Sequence, residues 1–91
     1  MANLGIFEIN TNGEYVDLAT LTSLTFTVGT KYTMQAQNQG AMLTVCAATS
    51  TPTEGGFKIK DLEKFEYTPV GGETLYVFTG TLGKVYLNIA S

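Results

Sequence analysis

The sequence predicts an all-β protein, a small β-sandwich or barrel of about seven to eight short antiparallel strands. Three observations predict it. Threonine and glycine are abundant while alanine, leucine and glutamate are modest, a balance that favours strands and turns over helices. From residue 24 onward apolar side chains recur with a period of two. Glycine, proline and asparagine interrupt that pattern at close spacing. A chain of 91 residues makes one domain, and at that size folding buries roughly 60–70% of the unfolded surface.

The first residues are the least regular, so the chain divides into residues 1–23, an N-terminal arm or short strand plus turn, and residues 24–91, the sandwich or barrel domain. "GIFEI" reads as a short strand and "TNGE" as a turn. Asp17 is placed to cap a helical turn running to Ser23; an extended arm, packing on the same sheets or on a neighbouring chain, is the other reading.

In "LTFTV" Leu24, Phe26 and Val28 face one way, a strand that Gly29 and Thr30 end. Tyr32, Met34 and Ala36 then alternate with Thr33, Gln35 and Gln37, and Leu43, Val45 and Ala47 with Met42, Thr44 and Cys46. Between them "NQG" reads as a hairpin loop, Gly40 taking the left-handed conformation. "ATSTPTEGG" is a loop, "FKI" a strand with Phe57 and Ile59 inward, and Asp61 to Lys64 a helical turn or bend. "TLYVF" and "KVYLNI", joined by "TGTLG", read as a closing hairpin with Leu75, Val77, Val85, Leu87 and Ile89 inward.

Composition narrows function mainly by exclusion. Five lysines against eight acids give a net charge of −3, with no histidine. Nucleic-acid binding needs a basic stripe. Lys58, Lys60 and Lys64 interleave with Phe57 and Phe65, but Asp61, Glu63 and Glu66 neutralise them, so a solvated strand face is expected. No apolar run approaches the ~20 residues of a membrane span, and the N-terminus lacks a signal-peptide pattern. A single Cys46 forms no internal disulfide, which fits synthesis in a reducing cytoplasm.

Candidate chemistry meets a plainer explanation at each position. Nucleophilic catalysis leans on a base, usually histidine, and Cys46 has no cationic neighbour in sequence to activate it. Glu63 with Glu66, or Glu54 with Glu73, supply the two carboxylates of a glycosidase, but not the aromatic cleft around them. "NTNGE" and Asp17 offer too few carboxylates for calcium, and the paired glycines lack the helix and lysine of a phosphate cradle. No catalytic, cofactor-binding or metal-binding residue is assigned. The aromatic residues say more. With Leu75 and Val77 inward, Tyr76 and Phe78 project from the other face, and Tyr86 does so on the partner strand. Such a face needs a cover, from this chain or from another subunit, so Tyr76, Phe78 and Tyr86 are the candidate interface residues.

Residues 24–91 resemble small β-structured virion proteins of tailed bacteriophages. The likeness rests on a strand ending in Gly29-Thr30, then Tyr32-x-x-Gln35-x-x-Asn38-x-Gly40, the strand "MLTVCAA", the loop "TPTEGGFKI" and the pair "LYVFTGTLGKVYLNI". It implies a non-enzymatic head decoration or capsid-stabilising protein, synthesised in the bacterial cytoplasm and located on the capsid surface of the virion. It further implies homo-oligomers, trimers favoured, that bind the major capsid protein, without cofactors, nucleic acid or membrane. Relatives of this pattern often carry tryptophan where this chain has Tyr76. The alternative is a tail- or fibre-tip module recognising a host receptor or carbohydrate, with Tyr76, Phe78 and Tyr86 as its stacking platform.

Overall fold

A computed structural model of the protein describes residues 3–38, 43–80 and 85–91. Along them run β1 (Asn3–Ile9), β2 (Val16–Asp17), α1 (Leu18–Thr22), β3 (Tyr32–Asn38), β4 (Leu43–Ala48), β5 (Phe57–Ile59), β6 (Lys64–Tyr67), β7 (Thr74–Phe78) and β8 (Val85–Ala90). They form two four-stranded antiparallel sheets, ordered β1-β8-β3-β6 and β2-β7-β4-β5. The protein is an all-β sandwich.

The pairing follows one rule. Each strand of the first half pairs with its counterpart counted from the other end: β1 with β8, β2 with β7, β3 with β6, β4 with β5. The chain is thus one long antiparallel ribbon bent at the β4–β5 connection. Rolling that ribbon sets β8 beside β3 and β7 beside β4. An eight-stranded sandwich wound in this way is a jelly roll.

That winding corrects two connections. β3 and β4 do not form a hairpin, because they lie in different sheets, and neither do β7 and β8. Alternation reports which way a side chain faces, not which strand lies beside it. Stacked sheets are roughly 10 Å apart, a gap that a few residues of chain bridge as readily as they turn a hairpin. Asn38, read as the start of the "NQG" loop, is the last residue of β3; Gln39, Gly40 and most of "TGTLG" lie outside the described residues.

The alternation does follow the core. Tyr32, Met34, Ala36, Leu43, Val45, Leu75, Val77, Val85, Leu87 and Ile89 are buried together with Ile9 and Leu18. Residues 24–28 form no strand, although Leu24 and Phe26 pack on the core. The backbone there finds a side chain instead of a ladder: Thr27 N–H donates to Tyr32 Oη at 2.7 Å. Phe26 meets the Tyr32 ring edge-on, with centroids 4.9 Å apart.

The N-terminal segment is part of the roll. β1 is an edge strand paired with β8, bulged between Asn3 and Gly5. Thr11 to Glu14 close a turn, Glu14 N–H donating to the Thr11 carbonyl at 3.2 Å. Asn12 and Gly13 both hold positive φ there, the geometry an Asn-Gly pair favours. Asp17 caps α1 by accepting from Ala19 N–H at 2.9 Å, and Ser23 ends it in the left-handed conformation. Between Asp61 and Lys64 the chain makes a turn and no helix, Glu63 N–H donating to the Lys60 carbonyl.

Candidate interaction surfaces

The two sheets present different outer faces. On the β2-β7-β4-β5 sheet, register sets Asp17, Tyr76 and Cys46 in one row, and Phe78, Thr44 and Lys58 in the next. Tyr15 lies over this face. Its ring stacks on Phe78 with centroids 4.9 Å apart, and its hydroxyl donates to the Gly55 carbonyl at 2.7 Å. The loop between β4 and β5 comes equally close. A side chain at Gly56 would begin 2.7 Å from the Val45 carbonyl oxygen, and φ is +115° there, so only glycine fits. Tyr76 and Phe78 are consequently half-buried.

Tyr86 belongs to the other sheet. Register places it between Glu8 of β1 and Gln37 of β3, in a polar row. The structure therefore brings Tyr76 and Phe78 onto one face and sets Tyr86 on the opposite side of the sandwich. The three do not form one platform.

The remaining candidates gather at the open side of the sandwich, where edge strand β5 of one sheet and edge strand β6 of the other leave a groove of ≈ 430 Å³. Core residues Val45, Ile59 and Leu75 and the half-buried Phe65 and Tyr67 line it together with Ala47, with Lys58, Lys64, Glu63 and Glu66 around them. Phe57, expected to face inward, stands at the mouth 78% exposed, and Ala47 is exposed on the floor. β5 pairs with β4 only from Leu43 to Val45, so Phe57 stands at the end of that ladder and Ala47 lies beyond it. Glu63 and Glu66 already have partners. Glu63 Oε1 accepts from Lys60 N–H at 3.0 Å, and Glu66 pairs with Lys31 at 3.7 Å.

A second opening, ≈ 320 Å³, lies where residues 24–28 pass α1 and the turn before β7. Asp17, Glu73 and Tyr67 line it. Burial, then the Glu73 and Asp17 carboxylates, raise the Tyr67 phenol above its ordinary value. Among the described residues no group of three or more acidic or cysteine side chains converges to hold a metal ion. Neither is any described helix long and apolar enough to cross a membrane. Cys46 is a half-buried free thiol on a strand.

Sequence reasoning missed the groove and one polar knot. Thr11 and Thr79, both buried, exchange hydrogen bonds: Thr79 N–H donates to Thr11 Oγ1 at 2.8 Å and Thr11 N–H to Thr79 Oγ1 at 3.0 Å. Sixty-eight residues separate them, and two threonines in turns carry no local sign of such a pairing. No protein-family model matches the chain, and no curated protein or solved structure matches it significantly.

Proposed function

We propose that the protein is a non-enzymatic structural module of a tailed-bacteriophage virion, a decoration or stabilisation protein that docks on the shell built by the major capsid protein and associates with its own kind. The winding carries the reading: an eight-stranded jelly roll built from 91 residues is an architecture that viral capsid proteins use. The resemblance of residues 24–91 to small virion proteins points the same way. Surface chemistry supports the same reading. The exposed side chains that ask for company are apolar rather than catalytic, Phe57, Leu62, Val28 and Val70 among them.

Lectins share the jelly-roll winding, but carbohydrate recognition is the weaker reading. Tyr86 stands apart from Tyr76 and Phe78, and the Phe78 ring is already stacked against Tyr15. A sugar-stacking platform needs its rings free and on one face.

The test is co-sedimentation of the purified protein with empty, expanded phage heads that lack decoration. Saturable pelleting with heads, and none without them, is the expected result. Protein that stays in the supernatant at micromolar concentration with heads in excess overturns the proposal.

A further inference from the structure

We infer that two copies of this chain join along β6, edge to edge, to make a continuous sheet across a twofold axis. The argument compares the edges that the roll leaves open. These are β1 and β6 in one sheet, β2 and β5 in the other.

Three of them are poorly suited to self-pairing. β2 is two residues long. β1 carries a bulge at Gly5, a device that twists an edge away from partners. β5 is three residues, Phe57–Ile59, and antiparallel pairing about its centre sets Lys58 against Lys58, which opposes association.

β6 differs in its order of charges. Its residues read Lys64, Phe65, Glu66, Tyr67. A twofold axis beside Phe65 places Lys64 opposite Glu66 of the second copy, and Glu66 opposite the second copy's Lys64. These two symmetry-related pairs are both attractive, and Glu66, whose Lys31 neighbour stands at 3.7 Å, takes the second copy's Lys64 as a further cationic partner.

The backbone agrees. Ala36 N–H donates to the Glu63 carbonyl at 3.1 Å, and Leu62 N–H to the Ala36 carbonyl at 2.6 Å. Antiparallel rungs alternate, so Glu63, Phe65 and Tyr67 bond to β3, and Lys64 and Glu66 turn their N–H and C=O groups outward. In the twofold arrangement Lys64 and Glu66 are the residues that exchange both backbone bonds. The same two positions thus supply the free ladder groups and the complementary charges.

Packing adds a third reason. Phe65 faces Phe65 across the axis in the close, non-hydrogen-bonded position. The two grooves meet there, covering the exposed Ala47 and the half-buried Phe65 from water.

The experiment is sedimentation velocity on the free protein over a wide concentration range, for wild type, Lys64→Glu, Glu66→Lys and the double swap. No shells are present, so the result stands whether or not the protein docks on a capsid. Both side chains are exposed, and thermal unfolding of each variant confirms an intact fold. Wild type is expected to form a dimer that weakens with salt. Each single reversal creates two like-charge pairs and raises the dissociation constant about tenfold or more. The double swap restores opposite charges in every rung and recovers dimerisation. A monomer at all concentrations overturns the inference, as does an oligomer indifferent to the reversals or a double swap that behaves like the single variants.

Discussion

Replacing Thr79 by valine tests whether the Thr11–Thr79 knot holds the two halves of the ribbon together. Valine matches threonine in shape, so the change removes a hydroxyl and leaves no cavity. Thr79 is fully buried. Its Oγ1 accepts the Thr11 N–H at 3.0 Å and lies 3.3 Å from Thr11 Oγ1. Without it, Thr11 N–H is enclosed with no acceptor, a loss of about 1–3 kcal/mol. The Thr11 hydroxyl adds no second orphan, because it still meets the Thr79 carbonyl at 3.2 Å and the Thr79 N–H at 2.8 Å. In a domain of this size each kcal/mol moves the melting temperature by roughly 4–8 °C. Calorimetry should therefore show Thr79→Val melting about 5–20 °C lower. Hydrogen exchange localises the effect: the Thr11 amide loses protection in Thr79→Val and keeps it in Thr79→Ser, which retains the hydroxyl. A valine variant that melts with the wild type, its Thr11 amide still protected, refutes the reasoning.

Gly56→Ala should destabilise by about 1–3 kcal/mol, since the new methyl meets the Val45 carbonyl oxygen at 2.7 Å and Thr44 Cγ2 at 2.9 Å; urea unfolding reads the loss, and an unchanged midpoint contradicts it. Leu62 holds φ +66° while 62% exposed, so Leu62→Gly relieves a strained backbone at little packing cost and should raise stability by about 1 kcal/mol in the same assay. Tyr67 gives the pH dependence. Its phenol is held above 10.0 by burial, Glu73 and Asp17, so the folded protein keeps a proton that the unfolded chain releases. That contribution to stability is complete below pH 10 and is lost as pH rises through the folded-state value. Tyr67→Phe should flatten the alkaline fall in melting temperature and remove a late phenolate absorbance step.

How far the sequence carried the fold can be judged residue by residue. Met34, Val77 and Leu87 were legible because a strand side chain has only two faces, and a period of two marks the buried one. The α1 cap was legible because Asp17 acts on an amide two residues away. Strand partners were not legible, since β1 meets β8 across the whole length of the chain. The alternation of Leu24, Phe26 and Val28 misled for the same reason: a strand needs a neighbour, and this segment has Tyr32 Oη instead. Of the candidate site, Tyr76 and Phe78 were placed together correctly, but Tyr86 followed the assumed hairpin onto the wrong sheet.

The relocation of Tyr86 changes where apolar surface is left over. An aromatic face shared by β7 and β8 would have asked for a lid over the sheet. Instead Tyr15 already lies across Phe78 and anchors on Gly55, so the chain supplies part of that cover itself. Apolar surface remains open at the seam between β5 and β6, where Phe57 is exposed above a floor of core residues. A seam differs physically from a face. A partner resting on a face meets side chains alone, whereas a strand at the seam gains the unpaired backbone groups of β6 and the apolar floor together. Directional bonds fix register, and burial supplies the driving force. In a roll whose other edges are bulged, short or mismatched in charge, those two requirements coincide at β6.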